Sequence, residues 1–157
     1  MTMSKRVLPW LLLSLSVIAI DQLTKQWALH ALDLYQIKPV LPFFNFTLAF
    51  NTGAAFSFLS NSGVWHQWFF TLFATTMSIV LVVWLVKLPA GQRLQALSLS
   101  FILGGALGNL VDRLLYGHVI DFLDVYYKHY HWPAFNIADS AITVGAILLI
   151  IDMLGRK

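Results

Sequence analysis

The chain has 157 residues, of which 59% are hydrophobic and only 11% are charged, against roughly 25% charged residues in an average soluble domain. This composition excludes an ordinary soluble protein and indicates an integral membrane protein. The formal net charge of +3 is too small to indicate nucleic-acid binding. The absence of cysteine excludes disulfides, a thiolate nucleophile and cysteine-ligated metals.

The first apolar segment, residues 7–20, follows the basic pair Lys5 and Arg6, a pattern that is also typical of a signal peptide. No small-x-small cleavage site follows it, and the helical pattern continues through Trp27. We therefore interpret residues 7–29 as a retained first span, since a helix of ~20 apolar residues crosses a bilayer.

Two ionisable residues, Asp21 and Lys25, stand four positions apart near the outer end of this span. Residues at that spacing share one helix face and can pair. The spacing fits equally well an ion pair that only neutralises the helix end and a support for a functional site.

Residues 32–62 are interrupted by proline, asparagine and glycine and do not form a membrane helix. From 44 to 51 (FNFTLAFN), apolar residues alternate with polar or small ones, which is the period of a strand. The run NTGAA at 51–55 predicts a turn. The strand could lie on the lipid surface, bind an extended peptide at its edge, or do both.

Three further spans are predicted at about residues 68–86, 94–115 and 135–154. The span at 94–115 contains Gly104 and Gly108, and this spacing of small residues favours close helix packing. We therefore expect one integral membrane domain, 1–157, that is mostly α-helical. It has four transmembrane helices and a small extracytoplasmic β-sheet/loop region, within loops at about 30–67 and 116–134.

Basic residues indicate the orientation of these spans. Four spans place both termini on one side, together with six of the ten basic residues: Lys5, Arg6, Lys87, Arg93, Arg156 and Lys157. The positive-inside rule then places both termini in the cytoplasm and the two long loops outside. Six of the seven aspartates lie at or beyond the outer rim, and Asp152 does not.

Two of those aspartates, Asp121 and Asp139, flank the loop between the third and fourth spans. Asp121 lies in a predicted strand at 118–127, and Asp139 begins the fourth span, where helix capping by Asn136 would also explain it. Two carboxylates in one site share a proton, so that one is ionised and the other is protonated. Peptide hydrolysis needs such a pair, because one group acts as the base and the other as the acid. We expect the helix N-terminus to favour Asp139 as the ionised member, and Asp124, on the other strand face, to be solvated.

Three other chemistries remain open. A metal site could draw on His118, Asp121, Asp124, His129, His131 and Asp139, although no HExxH motif is present. A serine nucleophile with Lys25 as base could use one of Ser57, Ser60, Ser62 and Ser140, which no local motif places together. An aspartate-lined transport path is the non-enzymatic alternative, and it is weakened because the carboxylates cluster at one rim.

Most of the chain closely resembles bacterial lipoprotein signal peptidase (signal peptidase II). The resemblance rests on the DQLTK and NTGAA segments, the four-span layout and three late motifs: Asn109-Leu-Val-Asp112-Arg113, His118-Val-Ile-Asp121-Phe122 and Phe135-Asn136-Ile-Ala-Asp139-Ser140. The three late motifs are specific together, whereas any one alone is not.

The resemblance implies a membrane aspartyl endopeptidase that removes the signal peptide from diacylglyceryl-modified prolipoproteins, cutting just before the lipidated lipobox cysteine. It implies Asp121 and Asp139 as the catalytic dyad and no cofactor or metal. Further matching positions line or support the site: Asp21, Lys25, Asn51, Gly53, Ala55, Asn109, Asp112, Arg113, Asn136 and Ala138.

The resemblance also implies a location in the bacterial inner membrane, with the site near the periplasmic face among membrane lipids. It implies inhibition by globomycin-like cyclic peptides and a periplasmic sheet that forms a cradle on the membrane. Arg113 would then fix Asp112, or instead extend to the interface.

Overall fold

The computed structural model describes residues 3–53 and 64–155. In chain order, the elements are α1 (Met3–Ala31), β1 (Lys38–Leu41), β2 (Phe44–Asn51), α2 (Val64–Lys87), α3 (Arg93–Tyr116), β3 (Val119–Tyr127), β4 (Tyr130–His131) and α4 (Ile137–Leu154). Within the described residues, four helices are long and apolar enough to cross a membrane. The prediction of a mostly helical, four-span membrane protein with a small β-sheet is confirmed, and the sheet is antiparallel.

Helix α3 is the centre of the bundle and packs against the other three helices. Its contact with α1 depends on small residues, because a Cβ at Gly104 would lie 2.7 Å from the Cβ of Val17. The side chains of Ser14 and Ser100 are buried in the same contact, where Ser14 Oγ donates to the carbonyl of Ser100 at 3.0 Å. The small-residue face predicted from the sequence is therefore where α1 and α3 touch.

The four strands form one sheet in the order β1-β2-β3-β4, with antiparallel neighbours. The strand predicted at 44–51 is β2, and the strand predicted at 118–127 begins one residue later, as β3. The sheet is fixed to the end of α1 by an apolar cluster that includes Leu48, Ile120 and Phe122. The ring of Trp27 meets that of Phe46 at a centroid distance of 4.9 Å.

A β-bulge in β2 decides which of its residues lie beside Asp121. Phe46 pairs with Leu123 and Ala49 pairs with Asp121, so two residues of β2 oppose the single residue Phe122. Without this extra residue, the alternation would place Phe50 on the same face as Asp121. The bulge shifts the pattern by one position, and Asn51 takes that place.

Candidate active site

The turn after α3 delivers Asp121 to the end of the bundle. Gly117 ends the helix with a φ of 77° and donates its N–H to the carbonyl of Arg113 at 3.1 Å. This left-handed conformation favours glycine, and a Cβ there would also lie 2.8 Å from the Gln67 side chain. Asp121 follows as the third residue of β3 and is buried.

Asn136 joins the two aspartates. Its side-chain oxygen accepts the N–H of Asp139 at 2.9 Å, and the Asp139 carboxylate accepts the N–H of Asn136 at 3.2 Å. Its side-chain N–H₂ donates to Asp121 Oδ1 at 2.7 Å. The capping role predicted for Asn136 is confirmed, and the same side chain also binds the carboxylate of Asp121.

The Asp121 carboxyl is held from both sides in a buried position. Besides Asn136, it accepts a hydrogen bond from Asn51 Nδ2 at 3.1 Å. The backbone N–H of Gly53 donates to Asn51 Oδ1 at 3.1 Å, which turns the Asn51 N–H₂ group toward Asp121. Burial first, and then the nearby charge of Asp139, together raise the pKa of Asp121 to about 7.

Lys25 lies between two carboxylates, and all three side chains are fully buried. Its ammonium is 2.8 Å from Asp21 Oδ2, 2.8 Å from Asp112 Oδ2 and 2.9 Å from Asn109 Oδ1. An ammonium has three donors and no acceptor, so every donor is used. We call Asp21, Lys25 and Asp112 the buried ion cluster.

Each aspartate of the buried ion cluster also accepts a backbone N–H from the residue that precedes Asp139 or Asp121. Asp21 Oδ1 accepts the N–H of Ala138 at 2.9 Å, and Ala138 precedes Asp139. Asp112 Oδ2 accepts the N–H of Ile120 at 3.1 Å, and Ile120 precedes Asp121. The ion pair that the spacing left ambiguous is therefore connected to both aspartates.

Asn109 links the buried ion cluster to the Asp139 side chain by hydrogen bonds. Because its oxygen accepts from Lys25, its N–H₂ group must point the other way, and it donates to Asp139 Oδ1 at 2.8 Å. The assignment of the two amide atoms thus follows from the hydrogen-bond network.

Sequence reasoning missed Gln22 and gave Gly108 only a packing role. Gln22 Nε2 donates to Asp112 Oδ1 at 2.8 Å and to the Gly108 carbonyl at 3.1 Å. A Cβ at Gly108 would lie 2.7 Å from Asp21 Oδ2. Gln22 adjoins Asp21 in the sequence, but no spacing rule assigns it a partner on α3.

We expect Gly108→Ala to lower the free energy of unfolding by about 1–3 kcal/mol, as overpacking of a filled interior usually does. The added methyl group would push the Asp21 carboxylate away from Lys25 and Ala138, so the peptidase activity that the resemblance implies should fall as well. Thermal unfolding in detergent and a cleavage assay measure the two effects. Gly155→Ala is the matched control, because a Cβ there meets nothing closer than 3.4 Å; equal behaviour of the two variants would contradict the account.

Arg113 lies beside the two catalytic candidates and does not hold Asp112. Its guanidinium donates to the Asn109 carbonyl at 3.4 Å and lies 5.7 Å from the centre of the Phe70 ring. Among the neighbouring charges, the carboxylates of Asp139 and Asp121 interact most strongly with this guanidinium. The oxygens of Asp112 are occupied by Gln22, Lys25 and the backbone of Ile120.

The expectation that Asp124 is solvated is wrong. Its side chain is buried and accepts from Asn45 Nδ2 at 2.7 Å, and both its oxygens are 2.9 Å from His131 Nδ1. The reason lies in the sheet register, since Asn45 stands directly opposite Asp124 and the short strand β4 returns His131 beside it. Asp124 does point away from Asn51 and Asp121, as the strand period predicted.

We expect Asp124→Asn to retain, within about threefold, the peptidase activity that the resemblance implies. The free energy of unfolding should fall by about 1–3 kcal/mol because a buried acceptor is lost. Thermal unfolding and initial cleavage rates of the purified variant test both parts. A folded Asp124→Asn protein without activity would contradict this prediction and would extend the site along β3.

The two aspartates open on a cavity of about 960 Å³ at this end of the bundle. Its polar lining includes both carboxylates with Asn51, Gly53, Asn109 and Arg113, and its apolar lining includes Phe50, Val125, Trp132, Phe135 and Ile142. Ala55, also expected at the site, lies outside the described residues.

The alternative chemistries find less support. Among the described residues, no three His, Cys, Asp or Glu side chains are grouped so that they could hold a metal ion. Lys25 has no free donor and Ser140 Oγ donates to the Asn136 carbonyl at 2.9 Å, so they do not form a nucleophile and base. Ser57, Ser60 and Ser62 fall outside the residues that the structure describes.

Fold and site together define the class: a multi-pass membrane protein with two linked carboxylates, buried Asp121 and half-buried Asp139, on a cavity at one end of its helices. The family model described as Signal peptidase (SPase) II matches residues 13–155. The chain belongs to the signal peptidase II family, which is a family of peptidases, and the family resemblance is confirmed.

Known relatives and solved structures agree with this assignment. The lipoprotein signal peptidase of Alteromonas mediterranea is 55% identical over 146 residues, 93% of this chain and 80% of the relative. That of Teredinibacter turnerae is 52% identical over 147 residues, 94% and 88% of the two chains. A bacterial membrane enzyme solved by the in meso method at 2.3 Å resolution gives a TM-score of 0.84 at 35% identity, covering 94% of this chain and 88% of its own.

Proposed function

We propose that this chain is a membrane aspartyl endopeptidase that removes the signal peptide from diacylglyceryl-modified prolipoproteins. It cuts just before the lipidated lipobox cysteine, with Asp121 and Asp139 as its catalytic dyad. One observation carries the proposal: Asn136 binds both carboxylates, and both line the same cavity.

In the proposed reaction, Asp139 is the ionised member and Asp121 the protonated one. Asp139 takes a proton from a water molecule, whose oxygen attacks the scissile carbonyl, while Asp121 donates a hydrogen bond to the carbonyl oxygen. The C–N bond then breaks, and the leaving amine receives a proton from the dyad. The raised pKa of Asp121 supports its role as the proton-bearing member near neutral pH.

The other site residues have positioning roles in this proposal. The buried ion cluster and Ala138 fix the backbone beside each aspartate, Asn109 and Asn136 orient the carboxylates, and Asn51 with Gly53 holds Asp121. Arg113 places a positive charge beside the dyad. Ala55 belongs to this set by resemblance.

The position of the cavity supports a lipid-anchored substrate. It lies where α3 ends and α4 begins, at the rim of the spans, and a diacylglyceryl group would hold the scissile bond at that depth. Such anchoring replaces a bimolecular search and can lower the barrier by several kcal/mol. We further propose the bacterial inner membrane as the location, with both termini cytoplasmic, the dyad near the periplasmic face, no metal requirement and inhibition by globomycin-like cyclic peptides.

Paired peptides test the substrate class. Purified protein in detergent is given one lipobox peptide with, and one without, the diacylglyceryl group on its cysteine, and the products are identified by mass. Cleavage of the modified peptide alone, immediately before the cysteine, is expected. Equal cleavage of both peptides, or cleavage elsewhere, would contradict the proposed substrate.

The pH profile tests which aspartate holds the proton. The pKa of Asp121 is raised to about 7, so Asp121 is protonated below that pH and ionised above it. We expect kcat/KM to fall through an alkaline limb near pH 7, approaching tenfold per pH unit. His118→Asn is the control, since burial lowers the pKa of His118 below 6.5 and the limb should persist; a profile that stays flat to pH 9 would contradict the assignment.

A further inference from the structure

A second cleft lies at the opposite end of the bundle from the dyad. It has a volume of about 410 Å³ and is formed by the start of α1, the end of α2 and the turn into α3. Along α3, Arg93 is 16 residues from Asn109, which corresponds to about 24 Å of helix. Since the hydrocarbon core of a bilayer is about 30 Å thick, the cleft lies near the other rim of the membrane.

Two arginines line this cleft, and none of its described lining residues is acidic. Arg6 belongs to the first turns of α1, and Arg93 is the first residue of α3. In the part of the chain that the structure describes, neither guanidinium has a carboxylate partner. Asp152, the aspartate at this end of the bundle, lies on α4, which does not line the cleft.

The start of α3 adds to the positive potential. Its capping residue Gln92 makes no side-chain cap hydrogen bond, and its first turn has no acidic residue. A helix N-terminus carries a partial positive charge that favours anions. Arg6, Arg93 and this helix end therefore act on the same small volume with the same sign.

The floor of the cleft is apolar. Val7, Leu85, Leu88 and Ala96 line it and belong to the buried cluster that joins α1, α2 and α3, and the ring of Trp10 packs against the same cluster. A free phosphate ion gains nothing from such a floor. An anionic phospholipid matches both parts, because guanidinium groups bind phosphate oxygens and the first acyl carbons can cover the apolar residues.

We infer that this cleft is a binding site for one anionic phospholipid, with its phosphate between Arg6 and Arg93 and its acyl chains against Val7 and Leu85. The site is separate from the dyad and does not depend on the reaction performed there. It gives the two arginines a specific ligand, beyond the general preference for basic residues on the cytoplasmic side of a membrane.

Lipid titrations followed by native mass spectrometry test the inference on the full-length protein in detergent. The probes are dioleoyl phosphatidylglycerol and dioleoyl phosphatidylcholine, which share their acyl chains. We expect one phosphatidylglycerol to bind more tightly than phosphatidylcholine, and the double variant R6Q/R93Q to weaken it about 20-fold, since each basic residue near an anionic headgroup strengthens binding severalfold.

Two further variants separate a built site from general charge. Lys87→Gln removes a neighbouring exposed charge that does not line the cleft, and it should weaken binding less than twofold. Ala90→Phe fills the cleft without changing any charge, and it should weaken both lipids. Thermal unfolding verifies that each variant is folded.

Three results would overturn the inference. The first is a loss on Lys87→Gln as large as that on R6Q/R93Q, which would show an unspecific charge effect. The second is equal affinity of the wild-type protein for the two lipids. The third is complete displacement of phosphatidylglycerol by inorganic phosphate, which would identify a free anion as the occupant.

Discussion

Replacing Lys25 with methionine is expected to lower the free energy of unfolding by about 3–5 kcal/mol, the usual cost of leaving a buried charge without its partner. Asp21 and Asp112 are fully buried on either side of the ammonium, each 2.8 Å away. In the variant, the two buried carboxylates would face each other across an uncharged methionine side chain, and neither would have a cation to compensate its burial.

Thermal unfolding in detergent measures this loss, with Lys38→Met as the matched control. Lys38 begins the exposed strand β1, so the same chemical change there should alter stability by less than about 0.5 kcal/mol. Adding D21N and D112N to Lys25→Met removes the unpaired charges and should recover part of the stability. Equal unfolding temperatures for Lys25→Met and Lys38→Met would show that the buried ion cluster has no stabilising role.

The same change should also reduce activity in the molecules that remain folded. Lys25 holds the oxygen of Asn109, and the N–H₂ group of Asn109 holds Asp139. Without the ammonium, the Asn109 oxygen keeps only its 3.2 Å hydrogen bond from Asn136 Nδ2, so the amide that donates to Asp139 is held less firmly. We therefore expect kcat to fall with little change in KM, because Lys25 is not among the described residues that line the cavity.

Replacing either Asp121 or Asp139 with asparagine is expected to reduce kcat by at least about 10³-fold, the scale of a lost acid or base in a concerted pair. The amide of Asp139→Asn cannot take a proton from water, and that of Asp121→Asn cannot protonate the leaving amine. Since the two groups act as a unit, the double variant should be no worse than the slower single one.

Initial rates on the lipidated peptide measure the effect, and Asp33→Asn is the matched control. Asp33 is an exposed aspartate just after α1, so its replacement should leave the rate unchanged. Asparagine at 139 keeps an oxygen that can complete the helix cap, so a folding defect is not expected. Either dyad variant retaining activity within tenfold of the wild-type protein would contradict the proposed mechanism.

Much of the fold could be predicted from local patterns. The four spans follow from long apolar runs, because every backbone polar group in a bilayer must be satisfied within a helix. The cap at the start of α4 was predicted from Asn136, whereas the reciprocal hydrogen bond from the Asn136 N–H to Asp139 was not. The strand at 44–51 followed from its period of two.

Contacts between distant segments could not be predicted in the same way. The bulge that turns Asn51 toward Asp121 has no sequence marker, since Thr47 and Leu48 read as an ordinary continuation of the strand. The burial of Asp124 depends on β4, a strand of two residues that brings back His131. Gln22 reaches α3 across the helix interface, and nothing on α1 alone indicates its partner.

The measurement that tests the dyad most directly is a single turnover in ¹⁸O-labelled water, with the enzyme in excess and previously dialysed against EDTA. Water activation by the dyad predicts full cleavage, one ¹⁸O atom in the new carboxylate of the released signal peptide, and none in the enzyme. Loss of cleavage after chelation would move the chemistry to a metal ion, and ¹⁸O in an aspartate of the enzyme would replace water activation with a covalent intermediate.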